Sequence, residues 1–214
     1  MTKIIMEHGL ADRFIRVSQL DRLIGGSDQR RYGLVNRATK AGDLLRLKRG
    51  VYILADRYRT HPCHPFALTQ AFVPGSYISF ETALAFHGWI PEKVFTTASV
   101  LPGRKMRFFE DKETGIYSFH PLATRPGFFL ELVSRLQIDG QTMLVAKPFR
   151  ALMDLICLRK VEWKGIEWLL EGLRIDLSLL GNITNGDIQT LQRVYKHKRI
   201  QSFLSALGRE LNID

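Results

Sequence analysis

The chain has 214 residues, of which 45% are hydrophobic and 24% charged, a composition typical of globular proteins and not of disordered or membrane-embedded ones. It carries 31 Lys and Arg against 21 Asp and Glu, so its formal net charge is +10 and a polyanion is the expected partner. No apolar run approaches the roughly 20 residues of a membrane-spanning helix, the first residues lack the apolar core of a signal peptide, and two cysteines are too few for a disulfide framework, so we expect a cytoplasmic protein.

The first part of the chain is predicted to begin with two short helices separated by a strand. The segment TKIIMEH favours a helix that ends at Gly9, and RFIRV (13–17) favours a strand. Ser18 is expected to cap a second helix, QLDRLI, which Gly25 and Gly26 terminate. The apolar residues of this second helix recur at helical spacing and are expected to form its buried face.

A third helix is predicted from Ser27 onward. Ser27 stands where an N-cap belongs, and Asp28 is favourable at the positive end of the helix dipole. Gly33 costs about 1 kcal/mol in a helix interior relative to Ala, which is intelligible where the backbone approaches another surface closely. Gly42 then ends the helix. The inward stripe of this helix is predicted to consist of Leu34, Val35, Ala38 and Ala41.

The segment AGDLLRLKRGVYIL (41–54) predicts a β-hairpin with a basic outer side. Its leucines alternate with Arg46 and Lys48, which is the pattern of a half-buried strand. Arg49-Gly50 supplies a tight reversal, because Gly readily adopts the positive φ that such turns require. A hairpin needs no cations in order to form, so we expect its positive side to meet something outside the protein.

The order helix, strand, helix, turn, helix, hairpin predicts a winged helix-turn-helix over residues 1–58. In such a module the recognition helix enters the major groove of duplex DNA, and a basic wing contacts phosphates. Residues 1–60 hold 13 Lys and Arg against 6 Asp and Glu, or +7 of the net charge, although a solvated helix face would explain the same cations. The candidate base-contacting residues are Gln29, Arg30, Tyr32, Asn36, Arg37 and Lys40. The candidate phosphate-contacting residues are Arg46, Lys48 and Arg49.

The rest of the chain predicts a mixed domain over residues 65–214, so the expected fold class is α+β. The polar, proline-broken segment ADRYRTHPCHP (55–65) is the expected domain boundary. Strands are predicted at SYISF, KVFTTASV, KMRFFED and GIYSFHPL, and on both sides of Asp139-Gly140. Helices are predicted at FALTQAFV, at 80–88, after Pro148, at 161–180 and at 187–211, with an interruption at the basic run KHKR (196–199).

A histidine- and cysteine-containing segment invites interpretation as a metal site. His61, Cys63 and His64 lie within four positions of one another. Zinc sites usually pair two spaced sets of ligands, and no second set is present in the sequence. We therefore interpret these residues as part of a linker and expect no metal.

An acidic group and a basic run invite two further interpretations. Asp154, Glu162 and Lys164 are similar in composition to the acidic-x-Lys triad of metal-dependent nucleases, but that triad normally lies on adjacent strands, whereas Asp154 falls in a predicted helix. The basic run, together with Arg193, is either a further phosphate-contacting patch, a docking surface or a solvated helix face.

Three stretches of the sequence resemble the AbiEi-type antitoxins, the transcriptional-regulator halves of abortive-infection toxin–antitoxin pairs. They are AGDLLRLKRGVYIL, similar to the end of the family's recognition helix and its wing; GSYISFETALAFHGWIP (75–91), similar to the start of its C-terminal domain; and AKPFRALMDLI (146–156), similar to its Pro-containing segment that opens a helix. The resemblance implies a winged helix that binds inverted repeats in its own promoter and represses the operon. It also implies a C-terminal domain that counters a nucleotidyltransferase-like toxin, either directly or only in function.

These observations favour a DNA-binding autorepressor and antitoxin that is not an enzyme and uses no cofactor. Double-stranded DNA is the expected partner, and no membrane is expected to be one. A palindromic operator takes two copies of a winged helix, so we expect a monomer or a weak dimer. Three alternatives stay open: a stand-alone winged-helix regulator, a protein-interaction module and, with less support, a nuclease that uses Asp154, Glu162 and Lys164.

Overall fold

The computed structural model describes residues 1–111 and 114–213, and it is of the mixed α+β class that the sequence predicts. Its residues divide into two compact units. The first comprises Met1–Pro74 and Gln137–Thr142, and the second comprises Gly75–Leu136 and the described residues from Met143 onward. The helix that begins at residue 65 therefore groups with the first unit, whereas the boundary predicted from the sequence lies before it.

Helices and a small antiparallel sheet alternate in the first unit. The elements in chain order are α1 (Thr2–Glu7), β1 (Ile15–Arg16), α2 (Val17–Ile24), α3 (Asp28–Lys40), β2 (Leu44–Lys48), β3 (Val51–Leu54), a short 3-10 turn (Asp56–Tyr58) and α4 (Pro65–Phe72). Each predicted element is confirmed in kind and order, but the predicted cap at Ser18 is wrong. Because β1 runs directly into α2, the cap position falls on Arg16, whose backbone amide donates to Oε1 of Gln19 at 2.9 Å.

The core of the first unit determines which side of α3 faces outward. The strand order is β1-β3-β2, and Ile15 lies opposite Tyr52. On α3, Val35 and Ala38 are buried as predicted, whereas Ala41 is exposed because the helix has already ended. The buried side chains of this core are Ile5, Ile15, Leu20, Val35, Ala38, Leu44 and Leu54.

The remaining strands form a six-stranded mixed sheet in the order β6-β7-β5-β4-β9-β8. Its strands are β4 (Tyr77–Ile78), β5 (Thr96–Val100), β6 (Arg107–Asp111), β7 (Gly115–His120), β8 (Val133–Ile138) and β9 (Gln141–Ala146). Strands β5 and β7 are parallel, as are β4 and β9, while β6 pairs antiparallel with β7. All of these strands were predicted from the sequence.

The helices of the second unit are α5 (Phe80–Phe86), α6 (Pro148–Arg159), α7 (Leu177–Leu180), α8 (Asn185–Val194) and α9 (Lys198–Glu210). Helix α6 is buried along most of its length, which makes it the central helix of the unit. None of the helices in residues 1–111 and 114–213 combines the length and the apolar character needed to cross a bilayer.

The two helical segments predicted at 161–180 and 187–211 agree with the structure to different extents. The helix predicted at 161–180 is wrong, because that segment holds one π turn (Trp168–Gly172) and the four-residue α7. An interruption within 187–211 is present, but it spans Tyr195, Lys196 and His197, whereas the last two residues of the predicted interruption, Lys198 and Arg199, already belong to α9. Tyr195 is extended, pairs with Thr124 across an isolated bridge and is fully buried, so tertiary contacts break the helix there.

Candidate nucleic-acid interface

The outward side of α3 carries every side chain that the sequence assigned to base contact. Val35 and Ala38 bury the opposite side in the core of the first unit. Tyr32 is 75% exposed, which is a high value for a tyrosine ring in a folded domain. The residues exposed on this side of α3 are Gln29, Arg30, Tyr32, Asn36, Arg37 and Lys40.

The start of α3 is held by a serine cap and by an arginine that points inward. The Oγ of Ser27 accepts a hydrogen bond from the backbone amide of Arg30 at 3.3 Å, which confirms the predicted cap. The guanidinium of Arg31 contacts the carboxylate of Asp28 and the backbone carbonyl of Gly26. Its Nε lies 3.4 Å from Oδ1 of Asp21 on α2. Arg31 therefore joins α2 to α3 and orients the exposed side of α3.

The hairpin of β2 and β3 presents two arginines beside α3. The chain reverses at Arg49-Gly50 as predicted, and Gly50 has a φ of +77°. Arg46 lies opposite Tyr52, and a bulge interrupts the register between Arg46 and Lys48. Both Arg46 and Arg49 are exposed, so the cationic edge of the hairpin consists of guanidinium groups.

Lys48 departs from the alternation that the sequence predicts for β2. It is half-buried, and its Nζ donates a hydrogen bond to the backbone carbonyl of Phe72 at the end of α4. The bulge adds a residue to β2 relative to β3, so the side chains beyond Arg46 no longer alternate regularly between two faces. Lys48 therefore attaches the hairpin to α4, whereas the sequence placed it on the phosphate-contacting side.

A groove of about 270 Å³ lies between α2, α3 and the hairpin. It brings together three of the predicted contact residues, namely Tyr32 and Asn36 of α3 and Arg46 of β2. Val35 and Tyr52 also line it, so the groove combines an aromatic and apolar surface with amide and guanidinium donors. The predicted contact residues that lie outside the groove at exposed positions are Gln29, Arg30, Arg37, Lys40 and Arg49.

The acidic part of this groove was not predicted from the sequence. Asp21 and Asp28 line it, and both carboxylates face the guanidinium of Arg31. That guanidinium offsets one of the two negative charges, and the exposed cations nearby, Arg30, Arg37 and Arg46, outnumber the one that is left. The three-residue spacing of Asp28 and Arg31 on one helix is visible in the sequence. The approach of Asp21 from α2 depends on how the two helices pack, and no sequence pattern reports it.

The segment with His61, Cys63 and His64 has a structural role at the start of α4. Nδ1 of His64 accepts a hydrogen bond from the backbone amide of Phe66 at 3.1 Å, so His64 caps the helix. Burial raises the pKa of the Cys63 thiol to about 11 against the opposing charge of Arg59, so this thiol is protonated at neutral pH. In the part of the chain that the structure describes, no group of three His, Cys, Asp or Glu side chains is arranged to hold a metal ion.

In the second unit, Asp154 is the centre of a fully buried polar network. Its Oδ1 accepts hydrogen bonds from Nε of Arg150 at 3.0 Å and from the hydroxyl of Tyr195 at 2.7 Å. Its Oδ2 accepts from the hydroxyls of Ser79 at 2.7 Å and Tyr77 at 3.0 Å. Burial and the charge of Asp154 raise the pKa of both tyrosines, so their hydroxyls stay protonated and continue to donate.

Arg150 completes this network and ties it to the backbone. Burial, the largest single effect, acts to lower the pKa of Arg150, but the charge and hydrogen bond of Asp154 together with Tyr195 and Tyr77 outweigh it, so the net pKa is raised. Its Nη1 donates to the backbone carbonyl of Glu131 at 2.8 Å, just before β8. Neither side chain of the Arg150–Asp154 pair has any exposed surface. The pair therefore joins α6 to its surroundings through bonds whose groups are all compensated.

This burial is unfavourable to the nuclease alternative. A metal-dependent nuclease needs carboxylates that are open to a metal ion and to substrate. Asp154 is fully buried and its two oxygens are occupied by four donors, whereas Glu162 and Lys164 are exposed beyond the end of α6. These three residues therefore lie in different environments.

The basic run between α8 and α9 is largely exposed. Lys196, His197 and Lys198 are open to solvent, as is Arg193 on α8. Arg199 is half-buried, and its Nη2 lies 3.5 Å from the backbone carbonyl of Cys157. Arg199 thus packs onto α6, while its neighbours form a solvated surface.

No protein-family model matches the sequence, and no curated protein matches it significantly. The resemblance to the AbiEi-type antitoxins is therefore carried by the three stretches of sequence quoted above. The geometry of the first unit provides an independent basis for a function.

Proposed function

We propose that the first unit is a winged helix-turn-helix that binds duplex DNA, with α3 as the recognition helix and the β2–β3 hairpin as the wing. The observation that carries this proposal is the exposed side of α3. Six polar or basic side chains project outward from one helix, while the buried residues of the same helix hold it on the core. Arg46 and Arg49 stand exposed on the hairpin beside it.

The groove between α3 and the hairpin supports a division of labour between base and backbone contacts. Asn36 and Tyr32 are on the helix, where a side chain that enters the major groove meets base edges. An Asn amide bonds adenine through two hydrogen bonds, and an exposed ring packs on a thymine methyl group. Arg46 and Arg49 act as phosphate contacts, which give affinity and register but little sequence information. Lys48 is excluded from this set, because its ammonium group bonds to Phe72.

The biological role that we propose is that of an autorepressor and antitoxin of an abortive-infection pair. It is supported by the resemblance to AbiEi-type antitoxins over the wing and over two stretches of the second unit. Repression follows from occlusion, because a protein seated on the promoter excludes RNA polymerase from it. An operator made of inverted repeats holds two copies of the chain, either as a weak dimer or as two monomers placed side by side.

The decisive test of DNA binding compares Asn36→Ala with Arg46→Ala on a panel of duplexes. The panel contains the chain's own promoter region and single-base variants of each half-site. Asn36→Ala is expected to remove discrimination at one base pair, worth about 1–3 kcal/mol, and to leave other positions unchanged. Arg46→Ala is expected to weaken binding to all duplexes by a similar factor. Equilibrium titration by fluorescence anisotropy measures both effects.

Two outcomes of this comparison would count against the proposal. Unchanged duplex affinity in both variants would favour a protein-interaction module over a DNA-binding unit. A uniform loss in Asn36→Ala would show that Asn36 contacts the backbone and does not read a base. The antitoxin role is tested separately, because co-expression with the nucleotidyltransferase-like product of a neighbouring gene should relieve growth arrest, and failure to do so leaves a stand-alone regulator.

A further inference from the structure

One face of the six-stranded sheet carries a groove that the proposed DNA-binding role does not use. The groove has a volume of about 430 Å³ and lies wholly within the second unit. Ala98 of β5 and Ser118 of β7 are paired neighbours in the sheet, and both line the groove. Phe108 of β6 pairs with Ser118 on the other side, so its side chain lies on the same face. Small residues thus occupy the middle of this face and a large ring stands at its edge.

Two phenylalanines on this face of the sheet are unusually exposed. Phe95, which precedes β5 and lines the groove, is 78% exposed. Phe108 is 53% exposed. Isolated exposed hydrophobic residues are common, but two phenylalanines beside one groove form a surface that a ligand would cover. Because the rings are planar and largely exposed, they offer stacking surfaces to a flat ligand.

The charges around this face are mainly positive. Nζ of Lys93 lies 5.4 Å from the centre of the Phe95 ring at one end of β5. Arg104 and Lys105 are exposed in the loop that follows the other end of β5. These cations lie beyond both ends of a strand whose residues 96 to 100 span about 13 Å. Glu110 adds one exposed carboxylate on the same face of β6, and among the residues that the structure describes the cations outnumber it.

Two other acidic side chains in or beside the groove, Glu81 and Glu92, are paired. Glu81, which lines the groove, forms an ion pair with Arg159 of α6. Glu92, which lies next to Lys93 in the chain, forms an ion pair with Arg174. These partners compensate the two carboxylates, so an anion that approaches the groove meets Lys93, Arg104 and Lys105.

The wall of the groove is shaped by a strained residue. Phe80 has a φ of +55°, a backbone conformation that is costly for a bulky residue, and its side chain is fully buried. Its ring meets the ring of His120 edge to face, with the centres 5.5 Å apart. Burial lowers the pKa of His120 against the opposing charge of Glu81, so this ring is neutral at neutral pH. The part of the wall formed by Phe80 and His120 is therefore aromatic and uncharged, and positive charge lies beyond the ends of β5.

We propose that this face binds single-stranded nucleic acid, with bases stacked on Phe95 and Phe108 and phosphates held by Lys93, Arg104 and Lys105. Exposed rings with flanking cations on an open sheet are how proteins hold unpaired strands, since every base has a face that can stack. Small residues between the rings leave space for flat bases. An acidic protein segment would use the same cations, but the two exposed rings stand apart with Ala98 and Ser118 between them, an arrangement that suits separate flat bases better than one continuous apolar helix face. The inference is independent of the duplex-binding proposal, because it concerns the other unit.

The test measures binding of fluorescent eight-nucleotide oligo(U) and oligo(dT) to the full chain by anisotropy. Phe95→Ala and Phe108→Ala are each expected to weaken binding by about 5- to 150-fold, the range seen when one stacking ring is removed. Phe108→Trp is expected to retain binding, because it keeps a stacking surface. Leu177→Ala is the matched control, since Leu177 is an exposed apolar residue of the same unit on α7 and not on this groove. Unchanged urea-unfolding midpoints will show that the variants are folded.

The two proposals fail in different ways in this design. Arg49→Ala is expected to weaken duplex binding and to leave oligo(U) binding unchanged, whereas Phe95→Ala should do the reverse. Absence of oligonucleotide binding by the unaltered chain would overturn the inference. So would equal binding by the Phe95→Ala and Leu177→Ala variants. The chain could instead bind a Glu- and Phe-rich peptide and no oligonucleotide, with the peptide binding lost in Phe95→Ala. That result would show that the ligand of this face is an acidic protein segment and not a nucleic acid.

Discussion

At the scale of single residues, the sequence and the structure give Asp154 different interpretations. In the sequence, Asp154 together with Glu162 and Lys164 is similar in composition to the acidic-x-Lys triad of metal-dependent nucleases. In the structure, four side chains donate to it in an interior without water access. A charge in that setting is tolerated because it is paired and fully hydrogen-bonded, and its removal leaves the partner charge uncompensated. The residue is therefore a stability determinant of the second unit.

Asp154→Asn tests this role, because it removes the charge with little change in shape. The free energy of unfolding is expected to fall by about 3–5 kcal/mol, since Arg150 is left as a buried, unpaired cation. Urea unfolding followed by circular dichroism measures the change. Glu162→Gln, at an exposed position, is the control and should shift the free energy by less than about 0.5 kcal/mol. An unshifted midpoint in Asp154→Asn, together with loss of metal-dependent cleavage of DNA, would restore the nuclease alternative.

At the scale of elements, local signals in the sequence predicted most helices and strands. Ser27 as a cap, Gly25 and Gly50 as reversal points, and Pro148 in the first turn of α6 each act on the backbone beside them. The cap predicted at Ser18 is a local failure, whereas the larger failure is non-local. The segment 161–180 has a helical apolar pattern, yet most of its backbone is irregular. A periodic apolar pattern indicates that side chains are buried on one side, but it does not determine the backbone conformation that buries them.

The candidate site also combines features that local sequence patterns predict with features that depend on long-range contacts. Exposure of the outer residues of α3 follows from the helical period, and it could be predicted from Val35 and Ala38 alone. The bonding of Lys48 to Phe72 joins residues 24 positions apart and depends on a bulge that no sequence pattern marks. The approach of Arg31 to Asp21 depends in the same way on the packing of two helices.

Gly33 separates the stability of α3 from its proposed contact with DNA. Its φ is not in the left-handed region, and a Cβ built there would meet only Nη1 of Arg37 at 3.6 Å, an ordinary contact. Gly33→Ala is therefore expected to stabilise the chain by up to about 1 kcal/mol, because Ala favours the helix. Duplex affinity is expected to fall if the backbone at this point approaches DNA closely. Thermal unfolding and anisotropy titration give the two quantities, and a variant that is more stable and binds equally well would place Gly33 away from the contact.

At the scale of the whole molecule, a net charge of +10 has two physical explanations. A generally basic protein attracts any polyanion weakly, and each of its cations then contributes about equally. A protein whose cations are positioned on a duplex-binding surface displaces counterions at specific phosphates. Only those cations then affect how its DNA affinity depends on salt concentration. Variants of the exposed hairpin arginines can be compared with variants of exposed cations elsewhere on the chain in order to distinguish these explanations.

The distinguishing measurement is the slope of log affinity against log salt concentration for one duplex. Arg46→Ala and Arg49→Ala should each flatten that slope by about 0.9, which is the effect of losing one phosphate contact on B-form DNA. Arg209→Ala removes the same charge from an exposed position on α9 and should leave the slope unchanged. If all three variants flattened the slope equally, the positive charge would act as a diffuse field and the hairpin would have no special place in binding. A selective effect of the two hairpin arginines would require that the duplex lies against the hairpin of β2 and β3.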